Sequence, residues 1–236
     1  MSNQTISLCM ITRNEEKWLE QCLNSVKDVV DEIIVVDTGS TDKTKEIAKK
    51  FCDMRVSSRT RSQLTAKIYD FKWVDDFSAA RNESLKHATK DWILVMDADE
   101  IIEKQDLIKI KNAIENSNDF VGFALEQKSY INQYFEGAIK NNSDFELIKE
   151  YPFYISHFLI RLFKNKIGLK FKHRVHELVE DSIREKNLKC KNIAAILHHF
   201  GSLKDEKLIG EKAEQYSKII SKQLEEEPES PRYNYQ

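Results

Sequence analysis

An acidic triplet, Asp97-Ala98-Asp99, directly follows the apolar run at residues 92–96. Side chains at positions i and i+2 of a strand point to the same face, so both carboxylates can reach one centre. Two carboxylates with few other protein ligands suit Mg²⁺ or Mn²⁺, with a diphosphate completing the coordination shell. By itself, however, an Asp-x-Asp pattern is more typical of solvated residues that end a strand. Its interpretation therefore depends on the clusters around it.

Two earlier apolar runs also end in polar clusters. The first leads into Thr12-Arg13-Asn14-Glu15, and the second ends at Asp37, with Gly39 and Ser40 in the turn that follows. A glycine in such a turn lets the backbone approach a ligand closely. Open α/β sheets bind their ligands beyond the carboxyl ends of the strands. We therefore expect both clusters and the acidic triplet to meet at one rim of a sheet.

A fourth polar element precedes the acidic triplet. Within residues 73–82, Asp76 or Ser78 can cap a helix whose first turns carry Arg81 and Asn82. A guanidinium at this place could grip a diphosphate or hydrogen-bond a base. An ordinary surface arginine at a helix start explains the pattern equally well, and both interpretations remain open.

Hydrophobic periodicity places these motifs on alternating strands and helices. The β-α-β-α opening implies a parallel sheet with right-handed crossovers, and hence an α/β fold. The polar, Asn-rich residues 132–150 are expected to form a loop. The predicted strands are 6–11, 32–37, 71–74, 92–96, 120–125, 155–163 and 169–172, and the predicted helices are 15–26, 43–51, 78–88, 106–116 and 204–227.

Composition and charge exclude several classes of protein. The net charge of −2 does not suggest a protein that binds nucleic acid. No apolar stretch approaches the roughly 20 residues that span a bilayer, and the N-terminus lacks the basic region of a signal peptide. The cysteines are far apart and form no CxxC pair, which favours reduced thiols in a cytoplasmic protein over disulfides or a zinc site. They are Cys9, Cys22, Cys52 and Cys190.

The four motifs, in this order, resemble those of glycosyltransferase family 2, over residues 5 to about 200. The chain is most similar to the branch that contains the sublancin S-glycosyltransferase and relatives whose catalytic domain precedes helical, TPR-like repeats. That branch also has a Val-His-Glu element and a later His before a glycine, matched here by Val175-His176-Glu177 and His199-Phe200-Gly201. The resemblance implies an inverting enzyme with the GT-A fold, in which helices flank a mostly parallel central sheet. It divides the chain into a catalytic domain, 1–202, and a C-terminal helical extension, 203–236.

The resemblance also implies roles for individual residues. Asp99 is the expected direct ligand of Mn²⁺ or Mg²⁺, Asp97 faces the ribose or the metal, and His199 is a candidate third ligand. A single displacement needs a general base beside the acceptor, for which Glu177 is the candidate and His176 the rival. His176 could equally serve the metal. The residues expected to bind the nucleotide-sugar are Thr12, Arg13, Asn14, Glu15, Asp37, Gly39, Ser40, Arg81, Asp97 and Ala98.

The implied donor is a UDP-sugar, UDP-glucose or UDP-N-acetylglucosamine, and the implied acceptor is a protein, peptide or saccharide. A homodimer is left open. A catalytically weak or inactive nucleotide-sugar-binding module is the main alternative. A sugar-phosphate nucleotidyltransferase is less favoured, because those enzymes open with a glycine-rich basic loop and residues 11–15 contain no glycine. A dinucleotide-dependent dehydrogenase is excluded for want of a GxGxxG motif after a strand.

Overall fold

The computed structural model describes residues 4–52, 64–201 and 206–226. Within these ranges, strands and helices alternate through the first half of the chain, and long strands dominate the second half. The strands are β1 (Ile6–Thr12), β2 (Glu32–Asp37), β3 (Thr65–Asp70), β4 (Trp92–Val95), β5 (Glu100–Ile102), β6 (Phe120–Ile131), β7 (Ile139–Lys140), β8 (Phe153–Lys164) and β9 (Lys189–His199). The helices are α1 (Leu19–Val26), α2 (Thr44–Cys52), α3 (Phe77–His87), α4 (Lys104–Glu115), α5 (Glu180–Glu185) and α6 (Glu206–Glu226).

The first half of the sheet is parallel. Strands β3, β2, β1 and β4 lie side by side in that order, each parallel to its neighbour. The register pairs Thr12 with Asp37 and Asp37 with Asp70, so three strands end level with one another. The polar residues after them therefore meet at one rim, which confirms the predicted parallel sheet opening.

Alternate residues of the strands feed two apolar cores, one on each face of the sheet. Leu8 and Met10 pack with α1, α2 and α4 on one face. Cys9 lies between them in sequence and packs on the other face, with Val95 and Phe163. This alternation follows from the two-residue repeat of a strand, and it explains why the runs are apolar throughout.

The second half of the sheet is mixed rather than parallel. β8 runs antiparallel to both β4 and β6, β9 is parallel to β6, and β5 closes the path antiparallel to β9. β6 and β8 are antiparallel, so the chain needs only a loop between them, whereas the parallel half of the sheet needs crossover helices. Much of that connection is the predicted polar loop at 132–150, interrupted by the short β7.

Two predicted strands are wrong. Residues 71–74 follow the strand, because β3 ends at Asp70. Just past that end, the amide of Phe71 still donates to Asp37 O. Residues 169–172 form no strand either, and only Lys172 makes an isolated bridge, to Leu178. The sequence prediction also missed β3, β5, β7, β9 and α5.

The helix predicted at 204–227 is confirmed as α6, while positions 204, 205 and 227 fall outside the described residues. None of the helices in the described ranges is long and apolar enough to cross a bilayer.

Candidate active site

A cavity of about 830 Å³ opens at the carboxyl ends of β1 and β4. Its wall is made by the loop after β1, the acidic triplet after β4, α3, β8, the segment before α5, and α6. Most of the residues predicted for the site are brought together there although they are far apart in sequence. Those that line the cavity are Thr12, Arg13, Asn14, Glu15, Arg81, Asp97, Ala98, Asp99, His176, Glu177 and His199.

Asp37, Gly39 and Ser40 are not among the residues that line this cavity. Asp37 is 1% exposed, and its Oδ1 accepts from the amides of Gly39 and Ser40 at 3.1 and 2.9 Å. Ser40 Oγ in turn accepts from the amide of Asn14 at 2.9 Å. Gly39 has a φ of 108°, which suits glycine at this turn. The three residues hold the loop after β1 in shape, and a direct contact with a nucleotide stays a prediction.

Two arginines hold Asp97. Arg81 Nη2 contacts Asp97 Oδ1 at 2.5 Å, and Arg161 Nη2 lies 3.3 Å from Asp97 Oδ2. Burial alone would raise the pKa of Asp97, but the guanidiniums of Arg81 and Arg161 hold it well below its usual range. Asp97 is therefore a carboxylate whose two oxygens are both paired with cations of the protein.

Glu100 extends this network away from the cavity. Its Oε1 accepts from Arg161 Nη2 at 3.1 Å and from Gln127, and its Oε2 accepts from the amide of Asp97 at 2.7 Å. Burial raises the pKa of Glu100 to about 8, against the lowering effect of Arg161. Through its bond to the Asp97 amide, Glu100 thus fixes the backbone of the acidic triplet.

Asp99 lies beside His199 at the end of β9. His199 Nε2 is 3.7 Å from Asp99 Oδ1, and Ser129 Oγ is 2.9 Å from His199 Nδ1. A partner at Nδ1 orients the ring, as is common for metal-binding histidines. A Cβ built on Gly201 would come within 2.5 Å of His199 Nε2 and 3.2 Å of Asp99 Oδ2. The space between the carboxylate and the imidazole therefore depends on the glycine at position 201.

This donor set fits a divalent cation that takes much of its coordination shell from a ligand. One carboxylate and one imidazole are suitable partners for Mn²⁺. Among the described residues, no three His, Cys, Asp or Glu side chains are arranged to hold a metal ion by themselves. A bound ion at Asp99 and His199 would accordingly need further oxygen ligands, which a diphosphate provides.

Glu177 is joined to the acidic triplet through Arg81. Arg81 Nε donates to Glu177 Oε1 at 2.6 Å while its Nη2 reaches Asp97. Burial would lower the pKa of Arg81, but the two carboxylates raise it above its ordinary value. The charged guanidinium of Arg81 therefore links the predicted base, Glu177, to Asp97 of the acidic triplet.

The histidines near the C-terminal end of the domain divide between cavity and core. His176 and His199 line the cavity. His198 is 2% exposed, with Tyr130 Oη at 2.6 Å from its Nδ1 and Glu103 Oε1 at 3.1 Å from its Nε2. Burial lowers the pKa of His198 to about 4, so the ring is neutral. His198 is a packed histidine.

Sequence reasoning missed several residues of the cavity wall. Arg161 is the most informative, because it interrupts the apolar run 158–163 of β8, and a buried charge in such a strand must have a partner. Gln127 and the residues that α6 contributes gave no comparable signal. The missed residues of the wall include Trp73, Phe77, Gln127, Arg161, Gln215 and Tyr216.

Comparison with known proteins decides the family. The model described as glycosyl transferase family 2 matches residues 7–175. The chain belongs to glycosyltransferase family 2. The match covers the loop after β1, Arg81 and the acidic triplet, whereas His176, Glu177 and His199 lie beyond it.

Curated relatives agree with the branch predicted from the sequence. A TPR repeat-containing protein of Synechococcus elongatus is 35% identical over 75% of this chain and 36% of its own length. The SPbeta prophage-derived glycosyltransferase SunS of Bacillus subtilis is 30% identical over 97% of this chain and 47% of its own length. The chain thus spans less than half the length of these two relatives.

A solved structure supports the fold of this family 2 domain. The crystal structure of S. aureus TarS aligns with 92% of this chain and 38% of that chain, with a TM-score of 0.57 and 18% identity. At this identity the likeness concerns the fold alone, and it agrees with the GT-A fold expected from the sequence.

Proposed function

We propose that this domain is an inverting glycosyltransferase that moves a sugar from a UDP-sugar to a protein, peptide or saccharide acceptor. One observation carries the proposal: the acidic triplet lies in the cavity with Asp97 held by two arginines and Asp99 beside His199. In that arrangement Asp97 pairs with two arginines, and Asp99 is left in place to bind a metal ion. The relative named glycosyltransferase SunS supports the reaction type.

The donor is proposed to bind along the loop after β1 and the acidic triplet. Thr12, Asn14 and Glu15 line the same cavity as Asp97 and Ala98. Asp99 and His199 would hold Mn²⁺ or Mg²⁺, and such an ion offsets the negative charge that develops on a departing nucleoside diphosphate. UDP-glucose and UDP-N-acetylglucosamine are the first donors to test.

Glu177 is proposed as the general base. The acceptor's O–H or S–H attacks the anomeric carbon, its proton passes to Glu177, and the bond between the anomeric carbon and the diphosphate oxygen breaks with its electrons going to UDP. Arg81 holds Oε1 of Glu177 at 2.6 Å, so this carboxylate has a fixed orientation at the cavity wall. His176, the adjacent residue, is the rival candidate.

Release of UDP from each candidate donor, with and without Mn²⁺, tests the proposal. We expect metal-dependent release that Asp99→Ala abolishes, and a mass increase on an acceptor when one is supplied. Full metal-dependent turnover by Asp99→Ala would show that the metal site has been misassigned. No release from any donor would favour the alternative, an inactive nucleotide-sugar-binding module, which a thermal shift with UDP would still detect.

Paired variants identify the base. Glu177→Gln is expected to lower transfer by a factor of roughly 10² to 10⁴, the range typical of lost acid–base catalysis, with UDP binding retained. His176→Ala is the matched comparison. If Glu177→Gln transferred normally and His176→Ala did not, the two roles would be exchanged.

A further inference from the structure

The segment that carries Glu177 has a strained backbone. Residues 173–177 form a short loop closed by two hydrogen bonds between the main chains of Lys172 and Leu178, at 3.0 and 3.2 Å. Within it, His173 and His176 have φ angles of 76° and 51°. Residues other than glycine adopt this left-handed backbone at a cost in free energy, so the surroundings must hold the loop in shape.

Helices α3 and α5 hold one side of this loop. The amide of Phe77 donates to Arg174 O at 2.8 Å, and Ser78 Oγ donates to His173 O at 2.6 Å. His173 Nε2 also lies 2.7 Å from Asp181 Oδ2. These contacts fix the start of the loop to the N-terminal end of α3, the helix that carries the arginine bound to Glu177.

Helix α6 hydrogen-bonds to the loop at Arg174. Gln223 Oε1 accepts from the amide of Arg174 at 3.0 Å. Glu226 accepts from Nε and Nη2 of the same residue at 2.8 and 2.7 Å, in the fork-to-fork arrangement of a bidentate ion pair. Gln223 is 4% exposed. Because residues three apart share a helix face, one face of α6 grips both the main chain and the side chain of Arg174.

Helix α6 also reaches the cavity itself. Gln215 and Tyr216 belong to its wall, and the Tyr216 ring lies 6.0 Å from the ring of His176 and 5.3 Å from that of Phe77. The helix therefore contacts the loop at Arg174 and at His176, on either side of the buried Val175.

We propose that α6 is a positioning element of the active site, and that Gln223 and Glu226 are positioning residues that hold the Glu177 loop in its working shape. This inference rests on the proposed function, because it takes Glu177 as the base. It assigns α6 to the transfer step, whereas donor binding is assigned to the loop after β1 and to the acidic triplet. A lost anchor should therefore change kcat and leave the affinity for UDP intact.

The test uses the full chain with Gln223→Leu, Glu226→Gln and both together. A small displacement of a catalytic group is costly, so the double variant should lose about ten- to hundredfold in kcat for transfer. The Kd for UDP with Mn²⁺, measured by calorimetry, should stay at the wild-type value. Gln223→Glu keeps an acceptor oxygen at the same reach and should restore most of the rate lost in Gln223→Leu.

Glu214→Gln and Lys218→Gln are the matched controls, because these residues form an exposed ion pair elsewhere on α6, at 2.7 Å. Hydrogen exchange of the amides at 173–178 gives a second readout that needs no activity. We expect faster exchange in the double variant and wild-type exchange in the controls.

Wild-type kcat together with wild-type exchange in the double variant would overturn the proposal. A parallel loss of UDP affinity and kcat would also overturn it, since that result indicates general damage to the fold. Absence of UDP release by the wild-type chain would instead count against the proposed function, and the exchange comparison would still decide whether α6 holds the loop.

Discussion

At the scale of single residues, the space beside Asp99 and His199 depends on a missing side chain. Gly201 lies two residues after the end of β9, and a side chain there would meet the imidazole of His199 and the carboxylate of Asp99. The φ of Gly201 is not in the left-handed region, so alanine can adopt the backbone there. What an added methyl group would change is the room between the two candidate metal ligands.

Gly201→Ala is therefore predicted to impair metal-dependent turnover. The new Cβ would lie within 2.5 Å of His199 Nε2, so the ring must move away from Asp99. Changes to the residues around a metal ligand typically lower metal affinity or activity about 10- to 100-fold, and we expect a loss of at least this order. A titration of activity against Mn²⁺ concentration, with UDP binding measured in parallel, checks this prediction.

Gly210→Ala is the control for that variant. Position 210 lies in α6, and a Cβ there would meet nothing within 4 Å. Alanine should stabilise the helix slightly and leave the Mn²⁺ titration unchanged. If Gly201→Ala had the same Mn²⁺ dependence as Gly210→Ala, Asp99 and His199 would not share an ion.

Residues of the site could be predicted from the sequence where polar clusters end apolar runs. Thr12 ends β1 and Arg13, Asn14 and Glu15 follow it directly, and the structure places all four in the cavity wall as expected. Arg161 could not be assigned a partner, because Asp97 follows β4 and Glu100 begins β5, both more than sixty positions away. Which strands become neighbours is decided by the whole sheet, and a single chain contains no local signal for it.

At the scale of elements, α3 matters most because it carries Arg81. Asp76 caps the helix with an extended backbone, φ −152° and ψ 105°, and its Oδ1 accepts from the amide of Ala79 at 2.8 Å. From the sequence, either Asp76 or Ser78 could cap this helix. Ser78 instead donates its hydroxyl to His173 O, which ties the helix to the Glu177 loop.

Asp76→Ala is predicted to lower the free energy of unfolding by about 1 kcal/mol, the usual cost of losing a side-chain cap. Asp76→Asn keeps an acceptor oxygen and should recover most of this loss. Urea denaturation of the three proteins, followed by circular dichroism, measures the difference. Equal midpoints for the alanine and asparagine variants would contradict a capping role.

The elements that sequence patterns missed have weak patterns for physical reasons. The first half of β9 is largely exposed, and it presents Lys189, Lys191 and Asn192. These residues have low strand propensity, so the pairing with β6 and not the local sequence makes this segment extended. Conversely, 71–74 has a strand-like composition, but β3 pairs with β2 only as far as Asp70.

At the scale of the whole molecule, the sheet separates two apolar cores that include two of the cysteines. Cys9 lies in the core packed against α3, and Cys22 of α1 lies in the other. Burial raises the pKa of the Cys9 thiol to about 12 and that of Cys22 well above its usual range. Cys52 and Cys190 are only partly buried.

Alkylation of the native protein at mildly alkaline pH is predicted to modify Cys52 and Cys190 well before Cys9 and Cys22. The thiolate is the reactive species, and burial removes both the thiolate and access to it. Peptide mass mapping after timed iodoacetamide treatment checks the order, with protein in concentrated guanidinium chloride as the control in which all sites react. Early native labelling of Cys9 would mean that the core against α3 opens readily.

The position of Arg81 between Asp97 and Glu177 has a consequence for how such a site diverges. Two carboxylates with different proposed duties depend on one guanidinium, at 2.5 and 2.6 Å. A substitution at any of the three changes the surroundings of the other two, so its effect will depend on the genetic background in which it arises. Double-mutant cycles among Arg81, Asp97 and Glu177 should then be strongly non-additive. Homologues that lack this arginine should also have different residues around the two carboxylates. Substitutions at Arg81, Asp97 and Glu177 are therefore expected to occur together during evolution.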